Sequence, residues 1–151
     1  MDLHPDFSDL LAELVHEKVE FVVIGGYAVG AHAKPRATKD LDILVTGSDV
    51  NLARVSRALE RFGAPIEVVR AARSMAEDDV VYLGREPVRI DILRRADGID
   101  TEAVIARAVT ARVGELVVPI IALDDLIANK KASARPQDLT DVALLERVAG
   151  R

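Results

Sequence analysis

Two aspartates separated by a single residue form the most informative pattern in the sequence. Asp40 and Asp42 flank Leu41 in the segment DLDILV, whose composition predicts a β-strand over 40–45. Because side chains at i and i+2 point to the same side of a strand, both carboxylates should lie on one face. Such an oxygen-only pair, without His or Cys nearby, suits a hard cation such as Mg²⁺ or Mn²⁺. The alternative is a solvated strand end at which paired charges discourage edge pairing.

A third aspartate lies within a strongly apolar segment. Asp91 is flanked by apolar residues in VRIDIL at 88–93, and a carboxylate in such a strand is costly to bury without a partner. One interpretation is an ion pair with Arg89, Arg94 or Arg95. The other is a third carboxylate that faces the metal site from a neighbouring strand, since three carboxylates can hold two divalent ions that bridge a transferred phosphoryl group.

Glycines and basic residues precede the paired aspartates. Gly25 and Gly26 end an apolar segment and open a short helix. Glycines there let the backbone approach a ligand, and helix N-terminal N–H groups attract phosphate, although most Gly-Gly pairs are simply tight turns. The following loop contains Lys34, Arg36 and Lys39, which could screen a triphosphate. The alternative is an ordinary solvated loop.

Three residues elsewhere carry weaker signals. Lys130 has Leu126 and Ile127 as helical neighbours, so its amine should either reach solvent along the helix surface or point into a site. Asp138 falls near the start of the last predicted helix, where its carboxylate should accept hydrogen bonds from the helix amides. His32 is expected to pack or to form a hydrogen bond rather than to act in catalysis.

The elements that must position these residues are helices and short strands in mixed order. Helices are predicted over 6–17, 27–33, 50–62, 102–108, 124–133 and 136–148, with Asp49 and Thr101 as N-caps. Strands are predicted over 20–24, 40–45, 65–69, 79–83, 87–93 and 115–120, with a hairpin turn at 84–86. The order predicts one α/β or α+β domain over 1–151, with a small mixed sheet and helical ends.

Composition excludes several classes of protein. The 151 residues include no cysteine and three histidines, which excludes disulfides, iron–sulfur clusters and thiolate zinc sites. The net charge of −5 and the aromatic content of 3% argue against a basic surface for long nucleic acids and against a base-stacking platform. The apolar runs are too short to span a membrane and the N-terminus lacks a basic signal region, so we expect a cytoplasmic protein.

These motifs together resemble the DNA polymerase β-type nucleotidyltransferase superfamily, and most closely its minimal members associated with toxin–antitoxin pairs. The resemblance is carried by Gly25-Gly26, by Arg36-x-Thr38-x-Asp40-x-Asp42, by Asp91, and by a K-x-x-x-x-R-x-x-D-x-x-D block over 130–141. It extends from about residue 20 to residue 145. One departure is that many active relatives have Gly-Ser where this chain has Gly25-Gly26.

The resemblance implies a fold, a reaction and a set of roles. It implies a mixed sheet with flanking helices and a nucleoside triphosphate, with ATP a candidate, as the donor substrate. The implied metal ligands and catalytic residues are Asp40, Asp42 and Asp91, with Mg²⁺ or Mn²⁺ as the cation. The implied nucleotide-binding residues are Gly25, Gly26, Arg36, Thr38, Lys39 and Lys130. The acceptor could be an RNA end, a protein or a small molecule, and a cognate toxin or antitoxin could be a partner.

Two other functions are compatible with the sequence. The chain could keep the fold without catalysis and act only by binding a partner protein, in which case it would not need Mg²⁺ and a triphosphate. It could also be a metal-dependent glycosyltransferase, because D-x-D pairs bind sugar nucleotides in such enzymes. The length of 151 residues and the early position of D-x-D, after one strand, disfavour the glycosyltransferase.

Overall fold

The computed structural model describes residues 3–35, 38 and 40–151, and in these residues seven helices flank a six-stranded mixed sheet. The predicted mixed α/β architecture is therefore confirmed. The helices are α1 (Pro5–His16), α2 (Gly25–His32), α3 (Asp49–Phe62), α4 (Ile66–Arg73), α5 (Thr101–Ala106), α6 (Leu123–Ser133) and α7 (Pro136–Val148). The strands are β1 (Phe21–Ile24), β2 (Asp40–Val45), β3 (Val80–Arg85), β4 (Val88–Leu93), β5 (Val109–Val113) and β6 (Leu116–Ile120).

The strand order brings distant parts of the chain together. The sheet runs β3-β4-β2-β1-β6-β5. Strand β2 is antiparallel to β1 and parallel to β4, and β1 is parallel to β6. The outer strands β3 and β5 pair antiparallel with β4 and β6. In this register Ile24 at the end of β1 is opposite Asp42, and Asp42 is opposite Asp91.

Alternation along β2 separates the core from the polar face. Leu41 and Ile43 are fully buried, because they point to the face of the sheet opposite to that of Asp40 and Asp42. Burying such a side chain stabilises a fold by roughly 1.5–3 kcal/mol. The apolar residues of β2 therefore fix the orientation of the strand, and that orientation places both aspartates on the other face.

The ends of α1 and α3 follow from local sequence. Pro5 stands at the start of α1, where its missing N–H has no cost. Helix α3 begins after Ser48, whose Oγ accepts a hydrogen bond of 3.1 Å from the amide of Asn51, and it ends at Gly63 with φ of 94°. The prediction that Asp49 caps this helix was wrong by one residue, because the serine hydroxyl takes the capping position.

Two other predictions of local structure were wrong. Pro65 is the N-cap of α4, and residues 66–69 form its first turn rather than a strand. Val69 and Ala72 are buried with helical spacing, and a short apolar run does not by itself distinguish the two states. Thr101 is the first residue of α5, and the N-cap is Asp100, whose Oδ2 accepts a hydrogen bond from the amide of Ala103.

The hairpins differ from expectation in detail. Strand β3 continues through Arg85, so the connection to β4 consists of Glu86 and Pro87 rather than 84–86. Strand β5 was not predicted, and it pairs with the predicted extended segment that forms β6. In the part of the chain that the structure describes, no helix has both the length and the apolar character needed to cross a membrane.

Candidate active site

Three carboxylates from two parallel strands meet on one face of the sheet. Asp40 and Asp42 project from β2, and Asp91 projects from the adjacent strand β4 at the level of Asp42. All three line a cleft of about 540 Å³. The structure thus brings together the predicted site aspartates, which are called the site carboxylates below.

Asp42 is the most perturbed of these groups. Burial raises the pKa of its carboxyl, and repulsion from Asp91 and Asp40 together with a hydrogen bond to Asp91 raises it further, to about 7, while Lys130 acts in the opposite direction. Gly25, with φ of 70°, packs against this carboxyl, and a Cβ at that position would collide with Asp42 Oδ2. Gly25 therefore gives Asp42 the space it occupies at the end of β1.

Arg89 lies between two of the site carboxylates. Its Nε and Nη2 donate hydrogen bonds of 2.9 and 3.1 Å to the two carboxylate oxygens of Asp91, and Nη2 also donates one of 3.0 Å to Asp40 Oδ2. The hydrogen bond to Asp91 is the main cause that raises the pKa of Arg89. The guanidinium also lies 5.2 Å from the ring centroid of Tyr82. The ion pair between Asp91 and Arg89, one of the two interpretations of this aspartate, is therefore present.

A second set of charged residues, the C-terminal cluster (Lys130, Arg135, Asp138 and Asp141), lies beside the cleft. Lys130 Nζ is 3.2 Å from Asp138 Oδ1 and 3.1 Å from Asp141 Oδ2. Arg135 Nε donates a hydrogen bond of 2.8 Å to Asp138 Oδ2. Burial alone would raise the pKa of Asp138, but the hydrogen bonds from Arg135 and Lys130 outweigh it and hold the pKa below its usual range.

The residues of this cluster have both predicted and unpredicted contacts. Asp138 accepts a hydrogen bond from the amide of Arg135 at the start of α7, which confirms its capping role. Lys130 is only 6% exposed and lines the same cleft as Asp42. Its amine reaches the site, as predicted, but the ion pairs with Asp138 and Asp141 were missed.

Of the other predicted nucleotide-binding residues, two line the cleft, one does not, and two lie outside the described residues. Gly25 and Gly26, in the first turn of α2, line the cleft, so the helix begins at the glycines rather than after them. Thr38 is half-buried and is not among the described residues that line the cleft. Arg36 and Lys39 lie outside the described residues. The phosphate-binding roles of all these residues stay predictions.

Sequence reasoning missed Asn129, Ser133 and Asp97, which line the cleft. It considered Arg95 as a partner of Asp91 and included Arg135 in the C-terminal block, but assigned neither to the site. Asn129 Nδ2 donates a hydrogen bond of 2.8 Å to the carbonyl of Asp97 and so fixes the loop after β4. Asn129 directly precedes Lys130 in α6, and its position next to that candidate residue was the sequence feature that could have identified it as part of the site. His32 Nε2 is 2.6 Å from the carbonyl of Ile121, as expected for a structural histidine.

The site carboxylates fit a divalent cation by donor type but not in their present contacts. Three carboxylates offer the oxygen ligands that Mg²⁺ and Mn²⁺ prefer. Among the described residues, however, no three acidic or histidine side chains are grouped so that they could hold a metal ion as they stand. Arg89 bridges Asp40 and Asp91. Asp40, Asp42 and Asp91 are the residues that could hold such a cation, and Arg89 contacts Asp40 and Asp91.

Comparison with solved structures shows the same fold. The lincosamide antibiotic adenylyltransferase LnuA, in its lincomycin-bound crystal structure, matches with a TM-score of 0.65 and 16% identity over 97% of this chain and 98% of that chain. The antibiotic-resistance factor ANT(2'')-Ia in solution matches with a TM-score of 0.59 and 17% identity over 95% of this chain and 85% of that chain. At such identity the likeness shows the nucleotidyltransferase fold and no more.

Comparison with curated protein sequences gives no match. Comparison with family models, in contrast, assigns the chain to a family. A family model described as "Nucleotidyl transferase AbiEii toxin, Type IV TA system" matches residues 9–150. The matched range contains the site carboxylates, the glycines of α2 and the C-terminal cluster. The chain therefore belongs to the AbiEii nucleotidyltransferase toxin family.

Proposed function

We propose that this protein transfers a nucleoside monophosphate from a nucleoside triphosphate to a hydroxyl acceptor. The observation that carries the proposal is the register of Asp42 and Asp91 on parallel neighbouring strands, in one cleft with the first turn of α2 and Lys130. Carboxylates together with helix N-terminal residues and a buried amine are the groups that a site for a metal-bound polyphosphate requires.

The proposed roles follow from where the residues lie. Asp40, Asp42 and Asp91 would hold Mg²⁺ or Mn²⁺, which supplies charge neutralisation on the transferred phosphoryl group and on the leaving pyrophosphate. The amides of Gly25 and Gly26 and the Lys130 amine bind the phosphates. Arg36, Thr38 and Lys39 precede the site carboxylates in sequence and would add to this binding.

The proposed reaction is a displacement at the α-phosphorus. The acceptor oxygen forms a bond to that phosphorus, the bond to the β-phosphate oxygen breaks, and pyrophosphate leaves. Asp91 takes the proton of the acceptor hydroxyl, a role worth roughly 10²–10⁴-fold in rate. The reaction draws on cellular nucleoside triphosphates, and a cytoplasmic location would supply them.

The acceptor is proposed as a class. LnuA and ANT(2'')-Ia have structures with lincomycin and with adenylyl-2''-tobramycin, respectively, so this fold accommodates small hydroxyl compounds in those proteins. The family model describes a toxin, which favours a cellular RNA end or protein as the acceptor here. It also favours a cognate antitoxin as a partner.

The test is transfer of label from triphosphates. The protein is incubated with Mg²⁺ and with each nucleoside triphosphate radiolabelled at the α-phosphate. The incubation is done without further additions and with cellular RNA, protein and small-molecule fractions. We expect one fraction to become labelled with the α-label and not with a γ-label. Asp42→Asn should abolish labelling, whereas Asp78→Asn, whose side chain is 82% exposed, should not. Absence of labelling in every fraction would favour a partner-binding protein without catalysis.

A further inference from the structure

Arg89 is the charged residue that contacts the site carboxylates most directly. Its guanidinium donates two hydrogen bonds to Asp91 and one to Asp40. Those contacts take up oxygen atoms on two of the three carboxylates proposed to hold the cation. A carboxylate offers about four lone-pair positions, of which Arg89 takes two on Asp91 and one on Asp40. Mg²⁺ binds carboxylate oxygens at about 2.1 Å, so it competes with the guanidinium for those positions. Two positive groups so close together would also repel each other.

The surroundings of Arg89 offer the guanidinium another position. Its side chain is 32% exposed at the rim of the cleft. The half-exposed Tyr82 ring lies 5.2 Å from the guanidinium carbon, and Arg89 Nη1 is 4.0 Å from Glu86 Oε1. A guanidinium over an aromatic ring and beside a carboxylate remains favourably placed. Arg89 can therefore move from the site carboxylates toward Tyr82 and Glu86 with a short displacement.

Lys130 differs from Arg89 in this respect. Its amine is held between Asp138 and Asp141, and its side chain is only 8% exposed. Lys130 cannot leave without two buried carboxylates each losing an ion-pair contact. Of these two cations beside the site carboxylates, Arg89 is the one that can be exchanged for a ligand.

We propose that Arg89 is a replaceable counter-ion that holds Asp40 and Asp91 in the cation-free protein and is displaced toward Tyr82 when a divalent cation binds. The inference rests on the proposed function, because it assumes that the site carboxylates bind a cation. Its consequence is that Arg89 lowers cation affinity. The bare ion then binds weakly, and productive occupancy requires a nucleotide whose phosphates add further ligands.

The test is direct binding of Mn²⁺, measured by the electron paramagnetic resonance signal of the free ion. Arg89→Gln keeps hydrogen-bonding capacity and removes the charge. We expect it to bind Mn²⁺ roughly 5- to 150-fold more tightly than the unaltered protein, the usual range for coupled binding events. Arg95→Gln is the matched control, because Arg95 lines the same cleft and pairs with Asp78 rather than with the site carboxylates.

Two further variants keep the test decisive. Arg89→Lys cannot make the bidentate contact and should bind Mn²⁺ with intermediate affinity. Tyr82→Ala should weaken Mn²⁺ binding, because the ring, already in contact with Arg89 at 5.2 Å, matters most to the guanidinium once its carboxylate contacts are lost. Thermal melts of each variant confirm that it is folded, and Arg89→Lys replaces Arg89→Gln in the test if the latter is not.

The outcomes separate this inference from the proposed function. If Arg89→Gln binds Mn²⁺ no more tightly than the unaltered protein or Arg95→Gln, while Asp42→Asn loses binding, Arg89 is not a replaceable counter-ion and the cation site stands. If no variant binds Mn²⁺ with or without nucleoside triphosphate, both the inference and the proposed cation site are wrong.

Discussion

Two acidic regions, one in the cleft and one beside it, differ in how their negative charges are compensated. In the C-terminal cluster, Asp138 and Asp141 share two cations, Lys130 and Arg135. Among the described residues, the cation that forms hydrogen bonds with the site carboxylates is Arg89, which contacts two of the three aspartates, Asp40 and Asp91. Paired buried charges give the fold a fixed arrangement, whereas burial and neighbouring carboxylates raise the pKa of Asp42 among the site carboxylates.

Removing the shared cation of the C-terminal cluster should have the largest effect on stability. Lys130→Met leaves Asp138 and Asp141, each 2% exposed, without their amine. We expect the free energy of unfolding to fall by about 3–5 kcal/mol, measured by urea denaturation.

The neighbouring lysine supplies the control for that measurement. Lys131 Nζ is 2.8 Å from Glu146 Oε1, with a side chain 56% exposed. Lys131→Met should cost at most about 1 kcal/mol. Equal losses for Lys130→Met and Lys131→Met would show that the buried ion pairs do not stabilise the C-terminal cluster.

Removing one of the site carboxylates should raise the free energy of unfolding rather than lower it. In the unfolded chain Asp42 titrates near 3.8, and in the folded protein its pKa is about 7. Between these values the folded state retains a proton that the unfolded state has lost, so this group makes stability fall as pH rises toward 7. Below both values it contributes nothing, and above about 7 the penalty is constant.

Asp42→Asn removes that penalty. In the presence of a chelator, the free energy of unfolding of the variant should exceed that of the unaltered protein by less than about 1 kcal/mol at pH 4 and by up to about 4 kcal/mol at pH 8, at about 1.36 kcal/mol per pKa unit. Urea titrations at the two pH values measure the difference. Asp78→Asn, at a side chain that is 82% exposed, controls for the loss of one negative charge. A pH-independent result for Asp42→Asn would contradict the raised pKa that burial and the neighbouring carboxylates give this group.

The difference between the two regions also explains what the sequence could predict. Asp40 and Asp42 share a face because of strand periodicity alone, and the capping position of Asp138 is equally local. The pairing of Asp42 with Asp91 depends on β2 lying beside β4, a contact between segments far apart in sequence. The resemblance to a family implied that contact, but residue spacing could not show it.

The contacts of Lys130 and Arg89 could not be predicted from neighbouring residues in the sequence, for related reasons. Lys130 meets Asp138 and Asp141 only because α7 folds back on α6 after Ala134, which has a positive φ of 51°. Alanine is an unusual residue for that conformation, so no turn signal marked it. Arg89 was one of three arginines considered for Asp91, and its bridge to Asp40 again required the register of β2 and β4.

A substitution at Gly25 should have a smaller effect on the free energy of unfolding, and it tests how closely Asp42 is packed. Gly25→Ala places a methyl group against Asp42 Oδ2 in a left-handed backbone conformation. We expect a loss of about 2–3 kcal/mol, of which about 1–2 kcal/mol comes from the backbone alone. Gly63→Ala is the matched control, because Gly63 also has positive φ and has nothing within 4 Å of its added Cβ. Similar losses at the two positions would mean that Asp42 moves aside without cost.

The smallest expected effect distinguishes the two cations of the C-terminal cluster. The Arg135 side chain is 76% exposed although it contacts the buried Asp138, and exposed ion pairs contribute little because water and salt screen them. In Arg135→Gln, Asp138 keeps its hydrogen bonds from the Arg135 backbone amide and from Lys130. We therefore expect a loss below about 1 kcal/mol, which shrinks further in 1 M salt, as measured by urea denaturation at two ionic strengths. A loss comparable to that of Lys130→Met would contradict this expectation and would show that Arg135 stabilises the cluster as much as the buried amine does.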